Sequence, residues 1–440
     1  MPSRPGTTPL LYQSDSEDDL SRGRRRPSPR PPLHSSTTPT LSRRSTTDAL
    51  RSRSPSSSQS ALLEARKKYT YASICLLISL VSFTVQTELA SHIQGPLGWD
   101  KAYSMMFLTH SSWIFLFPSQ VLFLRYRRRE QSWQQFWNNH LRTLRTTAQM
   151  VQTQSLVKHP LRGTGDNSSP WWYLIKTTAI VTTSLTIAGL SWYIAVSMTT
   201  PSDLTAIYNC NAFFAYAFSV PLLKERLRLD KMLAVGVAIL GVLVVAYGDG
   251  GNNHPSDTNE DAPSRFAGNV IIGIGSVLYG LYEVLYKRLA CPPEGTSANR
   301  KMMFANTFGS LIGLFTLFVL WIPIPILHIL GWEEFEMPRG ETARLLFISV
   351  VANMVFSGSF LVLISLTGPV LSSVAALLTI FIVAIVDWFL TGQPLSGPAV
   401  LGGMLIIVAF GMLSWSTWKE MNEEERRKHV DLGSDSGDED

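Results

Sequence analysis

The sequence predicts an all-α polytopic membrane protein, with ten transmembrane helices arranged as two inverted five-helix repeats. Three observations predict it. Apolar runs of membrane-crossing length recur from Tyr69 to Trp418. Charged residues make up only 16% of the 440 positions, against roughly a quarter in a soluble domain. The segments that begin at Pro201 and Pro369 share one layout, 168 residues apart.

A helix needs about 20 apolar residues to cross a bilayer. Ten runs qualify: 71–90, 102–124, 172–198, 201–223, 232–247, 267–287, 302–327, 343–366, 369–390 and 395–415. The fifth is short unless it extends back to Leu229. The intervening charges orient them. "EARKK" precedes the first run, "RYRRRE" follows the second, "KERLRLDK" the fourth, "KRL" to "NRK" the sixth, and "WKE" to "EERRK" the tenth. With ten crossings these basic segments share one side. "DGGNNHPSDTNEDAPSR" and "GWEEFEMPRGETAR", rich in acid, fall on the other. Basic loops favour the cytosol, so both termini are expected there.

These boundaries set the domain plan. Residues 1–65 form a Ser/Pro/Arg-rich tail with too little apolar surface to offset the entropy of ordering. Residues 66–248 form the first membrane repeat, with a basic cytosolic loop at 125–170. Residues 249–265 form a polar loop on the far side, 266–418 the second repeat, and 419–440 an acidic tail. "SDSEDDLS" and "GSDSGDED" match acid-directed phosphorylation sites, with plain solvated tails as the alternative. The first apolar run starts too deep for a cleavable signal peptide.

The repeat is carried by "PSDLTAIYNCNAFFAYAFSVPLLKERLRLDKMLAVGVAILGVLVVA" set against "PVLSSVAALLTIFIVAIVDWFLTGQPLSGPAVLGGMLIIVAFGMLS". Each opens on a proline, breaks at a short polar stretch and continues into a Gly-containing run. Five plus five crossings make the halves face opposite ways, an architecture of secondary transporters whose solute site lies near the midplane. Small residues at close spacing, Ala234 with Ala238, Ser276 with Gly280, and Gly402, Gly403 and Gly411, are read as helix packing.

The stretches "FLTHSSWIFLFPSQ", "DLTAIYNCNAFFAYAFSVPLLKERL", "LGVLVVAYGDG", "GLYEVLYKRL" and "AIVDWFL" resemble the drug/metabolite transporter superfamily with its EamA-like repeats. They are most similar to solute carrier family 35, subfamily F, on its thiamine-transporter branch. "DLTAIYNCNAFFAY" and "LYEVLYKRL" are the specific signatures; "LKERL" marks only the superfamily. The resemblance implies a multi-pass carrier of a small organic solute. The superfamily carries nucleotide sugars, amino acids and vitamins, so the substrate stays open.

Polar groups inside a bilayer are expensive and default to a functional reading unless they sit at an interface. Asp203, just after Pro201, is either a helix cap or the outer mouth of a cavity. Asn209 and Asn211 lie deeper, with Tyr208 and Tyr216 beside them. Interhelical hydrogen bonds are the alternative to a cavity lining. Glu283 and Lys287 share a face one turn apart, next to Tyr282. Lys287 either pairs with Glu283 or snorkels to the interface. Asp387 lies late in the ninth run, flanked by apolar residues, and Glu88 near an interface. The candidate substrate-binding residues are therefore Asp203, Tyr208, Asn209, Asn211, Tyr216, Tyr282, Glu283, Lys287 and Asp387.

Aromatic faces and a desolvated carboxylate suit a cation such as thiamine, whereas a nucleotide sugar calls for Lys or Arg on its phosphates. No Walker motif, HExxH or GxSxG occurs, so neither an enzyme nor an ATP-driven pump is expected. Cys75, Cys210 and Cys291 form no CxxC, so no zinc site, disulfide framework or cofactor is expected. The net charge of +5 is read as setting topology, not as binding nucleic acid. The expected partners are a lipid bilayer and a small organic solute. Pairing into a homodimer and the choice between an organellar or vacuolar membrane and the plasma membrane stay open, as does a non-transporting scaffold.

Overall fold

Helices account for every regular element among the described residues, as a chain that must satisfy its backbone inside lipid requires. The structure, a computed structural model, describes residues 56–156, 170–198, 207–225, 227–247, 262–379, 382 and 397–434. The chain divides into units 1–57 and 58–440, and the helical bundle belongs to the second.

In chain order the helices are α1 (Ser56–Gln94), α2 (Ala102–Ser111), α3 (Leu116–Arg127), α4 (Trp133–Thr153), α5 (Pro170–Val196), α6 (Asn211–Leu223), α7 (Leu229–Tyr247), α8 (Ala262–Ala290), α9 (Ala298–Val319), α10 (Pro323–Ile329), α11 (Gly340–Thr367), α12 (Pro369–Ala376) and α13 (Gly397–Ser434). A 3-10 turn, Ser112–Phe115, joins α2 to α3 in one continuous path. By length and composition, seven helical paths can cross a membrane: Arg66–Gln94, Ala102–Arg127, Pro170–Val196, Phe266–Ala290, Ala298–Ile329, Gly340–Thr367 and Val400–Glu420. They correspond to the first, second, third, sixth, seventh, eighth and tenth expected runs. Of the fourth run the structure describes the shorter apolar helix Ile207–Leu223. The fifth is α7, which does start at Leu229. The ninth opens as α12 at Pro369, whose fixed φ and missing amide proton suit a first helical position.

The membrane-crossing helices turn apolar side chains outward. Leu77, Ile175, Phe347 and Leu401 are each more than half exposed on the outside of the bundle, as the side chains of a body solvated by lipid are. Inside, close approach depends on missing side chains. A Cβ on Gly280 would stand 2.8 Å from the Ala215 amide nitrogen and 2.9 Å from the Asn211 carbonyl oxygen, so α8 and α6 touch backbone to backbone. A Cβ on Gly241 would stand 2.8 Å from the Gly402 carbonyl oxygen, where α7 packs along α13.

The 125–170 segment differs from the sequence reading. It is not loop throughout, because α4 occupies 21 residues of it. Ser132 caps the helix by accepting from the Gln135 amide (3.3 Å). Phe136, His140, Ala148 and Val151 turn inward. Neutral polar residues between the arginines hid this amphipathic period.

Candidate functional site

Two adjoining cavities lie among α1, α2, α5, α6, α8, α11 and α12, with about 570 and 380 Å³ of empty space. Those figures include space open to the outside: the room for water-sized molecules is about 50 and 30 Å³, so the space as it stands is narrower than an occupied small-molecule site. Phe83, Tyr208, Tyr279, Phe356 and Phe360 border both, so the two are parts of one interior space. Aromatic rings form much of its wall. Tyr208, Tyr279 and Tyr282 form a run with ring centroids 5.3 and 5.5 Å apart. Phe83 and Phe360 flank Phe356 at 4.9 and 5.3 Å.

One polar network crosses this wall. The Trp113 indole N–H donates to Asn353 Oδ1 (2.7 Å), and Asn353 Nδ2 donates to Gln86 Oε1 (3.1 Å). Gln86 Nε2 then donates to the Tyr193 hydroxyl (3.3 Å), which also meets Thr109 Oγ1 (3.3 Å). Four membrane helices and the 3-10 turn are tied by groups with no water to fall back on. His110 stands edge-on to Trp113, centroids 5.2 Å apart. It fits only because residue 189 is glycine: a Cβ there would lie 2.8 Å from His110 Cε1. Asn211 Oδ1, His110 Nδ1 and Ser357 Oγ are buried at this wall without a hydrogen-bond partner among the described residues.

Four of the expected residues meet here. Tyr208 and Tyr282 line the first cavity, and Tyr208, Asn209 and Asn211 the second. Glu283 follows Tyr282 but lines neither cavity and is fully buried. The Ser373 hydroxyl of α12 donates to its Oε2, and Oε1 has no partner among the described residues.

Two residues are placed elsewhere. Tyr216 is buried in the packing of α6 against α7, and its hydroxyl donates to the Arg228 carbonyl and accepts from the Arg228 amide (both 3.3 Å). Lys287 does not pair with Glu283. Its ammonium donates to Glu294 Oε1 (3.2 Å) and to the Ser365 carbonyl (3.1 Å) at the end of the bundle. Glu294 also accepts from Lys301 (2.8 Å) and has Lys68 at 3.9 Å. Partial desolvation at the end of the bundle would raise the exposed Glu294 carboxyl, but the nearby Lys287 and Lys301 charges outweigh it and hold it at about 2. Asp203 and Asp387 lie outside the described residues, and Glu88 is exposed.

Gln86, His110, Asn353 and Trp113 were not among the expected residues. The signal was present for the first three, each a polar side chain inside an apolar run. No group of three or more His, Cys, Asp or Glu able to hold a metal occurs among the described residues.

Residues 121–247 match the EamA-like transporter family. An uncharacterized transporter of Schizosaccharomyces pombe is 29% identical over 225 residues, covering 50% of this chain and 63% of that protein. Solute carrier family 35 member F3 of Mus musculus is 24% identical, covering 58% of each. The thiamine-repressible mitochondrial transport protein THI74 of Saccharomyces cerevisiae is 23% identical, covering 52% of this chain and 59% of that one. The chain thus spans about three-fifths of the length of these relatives. One crystal structure superposes with a TM-score of 0.50 at 13% identity, over 80% of this chain and 98% of that one, a likeness of fold alone. With the helical bundle, these matches make the chain similar to EamA-like transporters and to members of solute carrier family 35, subfamily F.

Proposed function

We propose that this protein is a secondary transporter of a small organic solute, cationic or neutral, and that thiamine is the first candidate. The observation that carries this reading is the cavity wall: aromatic rings and neutral amides surround it, and no Lys or Arg lines it among the described residues. Ring faces attract a cation, and the buried Glu283 carboxyl stands behind the wall, next in sequence to the lining Tyr282. A nucleotide sugar would place its phosphates where no basic side chain lines the wall. The name of the yeast mitochondrial relative links that protein's regulation to thiamine, which adds modest support here. An organellar membrane is the location this reading favours.

The ten-span inverted repeat belongs to the same proposal. Contacts between the halves support it, since span four (α6) meets span nine (α12), span five (α7) meets span ten (α13), and span two (α2–α3) meets span seven (α9). Those are the pairs that a two-fold axis relating span n to span n+5 maps onto themselves.

The test is uptake by liposomes holding the purified full chain, supplied with labelled thiamine or with nucleotide sugars. Saturable thiamine uptake absent from protein-free liposomes is the expected result. Nucleotide-sugar exchange without thiamine uptake overturns the substrate class, and transport of neither solute overturns the thiamine assignment.

A further inference from the structure

The strongest unassigned feature is the outer surface of α4. Its two ends are tethered. It leaves α3 within a few residues of Arg127, and the chain re-enters a membrane-crossing path at Pro170. Gln154, in the left-handed conformation that ends α4 (φ 49°), donates from Nε2 to the Cys291 carbonyl (3.2 Å). At the other end the Arg125 guanidinium lies 5.4 Å over Trp133 and donates to the Gln131 carbonyl (2.7 Å). The helix is therefore held across the end of the bundle, where the crossing paths leave the apolar layer.

Its circumference has three sectors. The inward sector carries Phe136, His140 and Val151 against the bundle. A second sector, at 3.6 residues per turn, aligns Trp133, Trp137, Leu141 and Leu144. Trp133 and Leu141 are 50% and 54% exposed and Trp137 and Leu144 half-buried, so the stripe keeps an apolar outer edge beyond the Arg125 contact on Trp133. The third sector is polar and bears Arg142 and Arg145, both exposed. No Asp or Glu occurs from Gln131 to Gly165. Trp171 and Trp172, at the start of α5, are 66% and 70% exposed, as aromatic residues at a membrane boundary are.

An apolar stripe beside an acid-free basic sector, held at the level of a bilayer surface, fits one occupant by shape and charge. We propose that α4 is an interfacial helix that lies in the headgroup layer, with Trp133, Trp137 and Leu141 at the acyl boundary and Arg142 and Arg145 on the phosphates of anionic phospholipids. The proposal rests on the membrane reading but not on the identity of the solute. It predicts that the protein senses the charge of its leaflet through a helix that lines neither cavity.

The test uses the full chain with a single added cysteine, Leu141→Cys on the apolar stripe or Asn138→Cys on the polar sector. Each is labelled with a fluorophore quenched by aqueous iodide, and the unsubstituted chain gives the background from the native cysteines. Liposomes are made of phosphatidylcholine alone or with added phosphatidylserine. The label at 141 is expected to be quenched several-fold less than that at 138. Its protection should rise with phosphatidylserine, and Arg142→Gln with Arg145→Gln should abolish that rise. Equal quenching at the two positions overturns the interfacial placement. Protection that ignores phosphatidylserine overturns the headgroup assignment. Both labelled positions are solvent-exposed, so neither substitution disturbs the packed face. Thiamine uptake is scored separately, and its failure leaves these quenching outcomes readable.

Discussion

Asn353 sits where a single side chain satisfies two buried partners, the Trp113 indole N–H and the Gln86 carbonyl oxygen. Asn353→Leu keeps the volume and strands both groups, at a cost of about 1–3 kcal/mol each. A thermal melt of the purified chain should show a clear drop in midpoint; an unchanged melt would mean the network carries no stability. Asn211→Ala and Glu283→Gln are aimed instead at transport. At Asn211, which lines the wall, losing one hydrogen bond to a bound solute weakens binding by about 0.5–1.5 kcal/mol, up to roughly tenfold; Glu283→Gln removes the buried carboxyl behind the wall. Thiamine uptake should fall while abundance stays normal. Normal uptake by both variants would turn these groups into helix–helix contacts. Tyr208, Asn209, Asn211 and Tyr282 were legible in the sequence because polar groups stand out in an apolar run. Tyr216 and Lys287 were grouped with them, because helical spacing gives the face a residue occupies but not what that face meets. Gln86, His110 and Asn353 obey the same rule one per helix, and only the fold shows that three lone polar residues on separate spans converge.

Between elements, the ionic cluster at Glu294 joins α1, the end of α8 and the start of α9 through Lys68, Lys287 and Lys301. Its carboxyl titrates near 2 in the folded chain, below the ordinary value of 4.5. A depressed carboxyl contributes stability above its unfolded value, and the contribution fades as pH falls from about 4.5 towards 2. The Glu294 side chain is 67% exposed, so solvent screening keeps the gain small. Glu294→Gln should therefore melt slightly below the parent at pH 7, and the gap should close in acid; a gap that widens in acid would contradict the cluster's role. The contact of α6 with α8 should prove far less tolerant. Gly280→Val would drive a branched side chain into the Asn211 carbonyl and the Ala215 amide, where overpacking costs about 1–3 kcal/mol. Loss of folded protein is expected, measured as the monodisperse fraction in detergent. The long apolar spans were legible as elements because continuous hydrophobicity needs no partner to be read. Helix α4 was not, since its inward residues are interleaved with Gln, Asn and Thr, and the basic residues around it suggested loop.

At the scale of the whole molecule, the distribution of charge makes an asymmetry that a bilayer would read. The end carrying Arg125, Arg127, Arg128 and Arg129 also carries the Lys287–Glu294–Lys301 cluster. It carries as well the ties between α7 and α13, where Lys231 meets Glu420 at 2.7 Å and Arg228 meets Glu423 at 3.4 Å. The opposite end holds Glu333, which accepts from the Tyr103 and Ser104 amides (2.8 and 2.9 Å) at the head of α2, and is followed by Glu334 and Glu336. Positive charge is retained on the cytosolic side during insertion, so the arginine end should face the cytosol and the Glu333 end the lumen or exterior. Glycosylation acceptors placed in each loop test this. An acceptor within 249–265 or 331–339 should be modified, and one within 125–170 should not. The native "NSS" at Asn167 lies in that last segment, so it should remain unmodified in spite of its motif. Modification at Asn167 would invert the assignment, moving both tails and α4 to the far side. It would also remove the charge argument for an even number of crossings, because the same basic loops would then have been carried across the membrane.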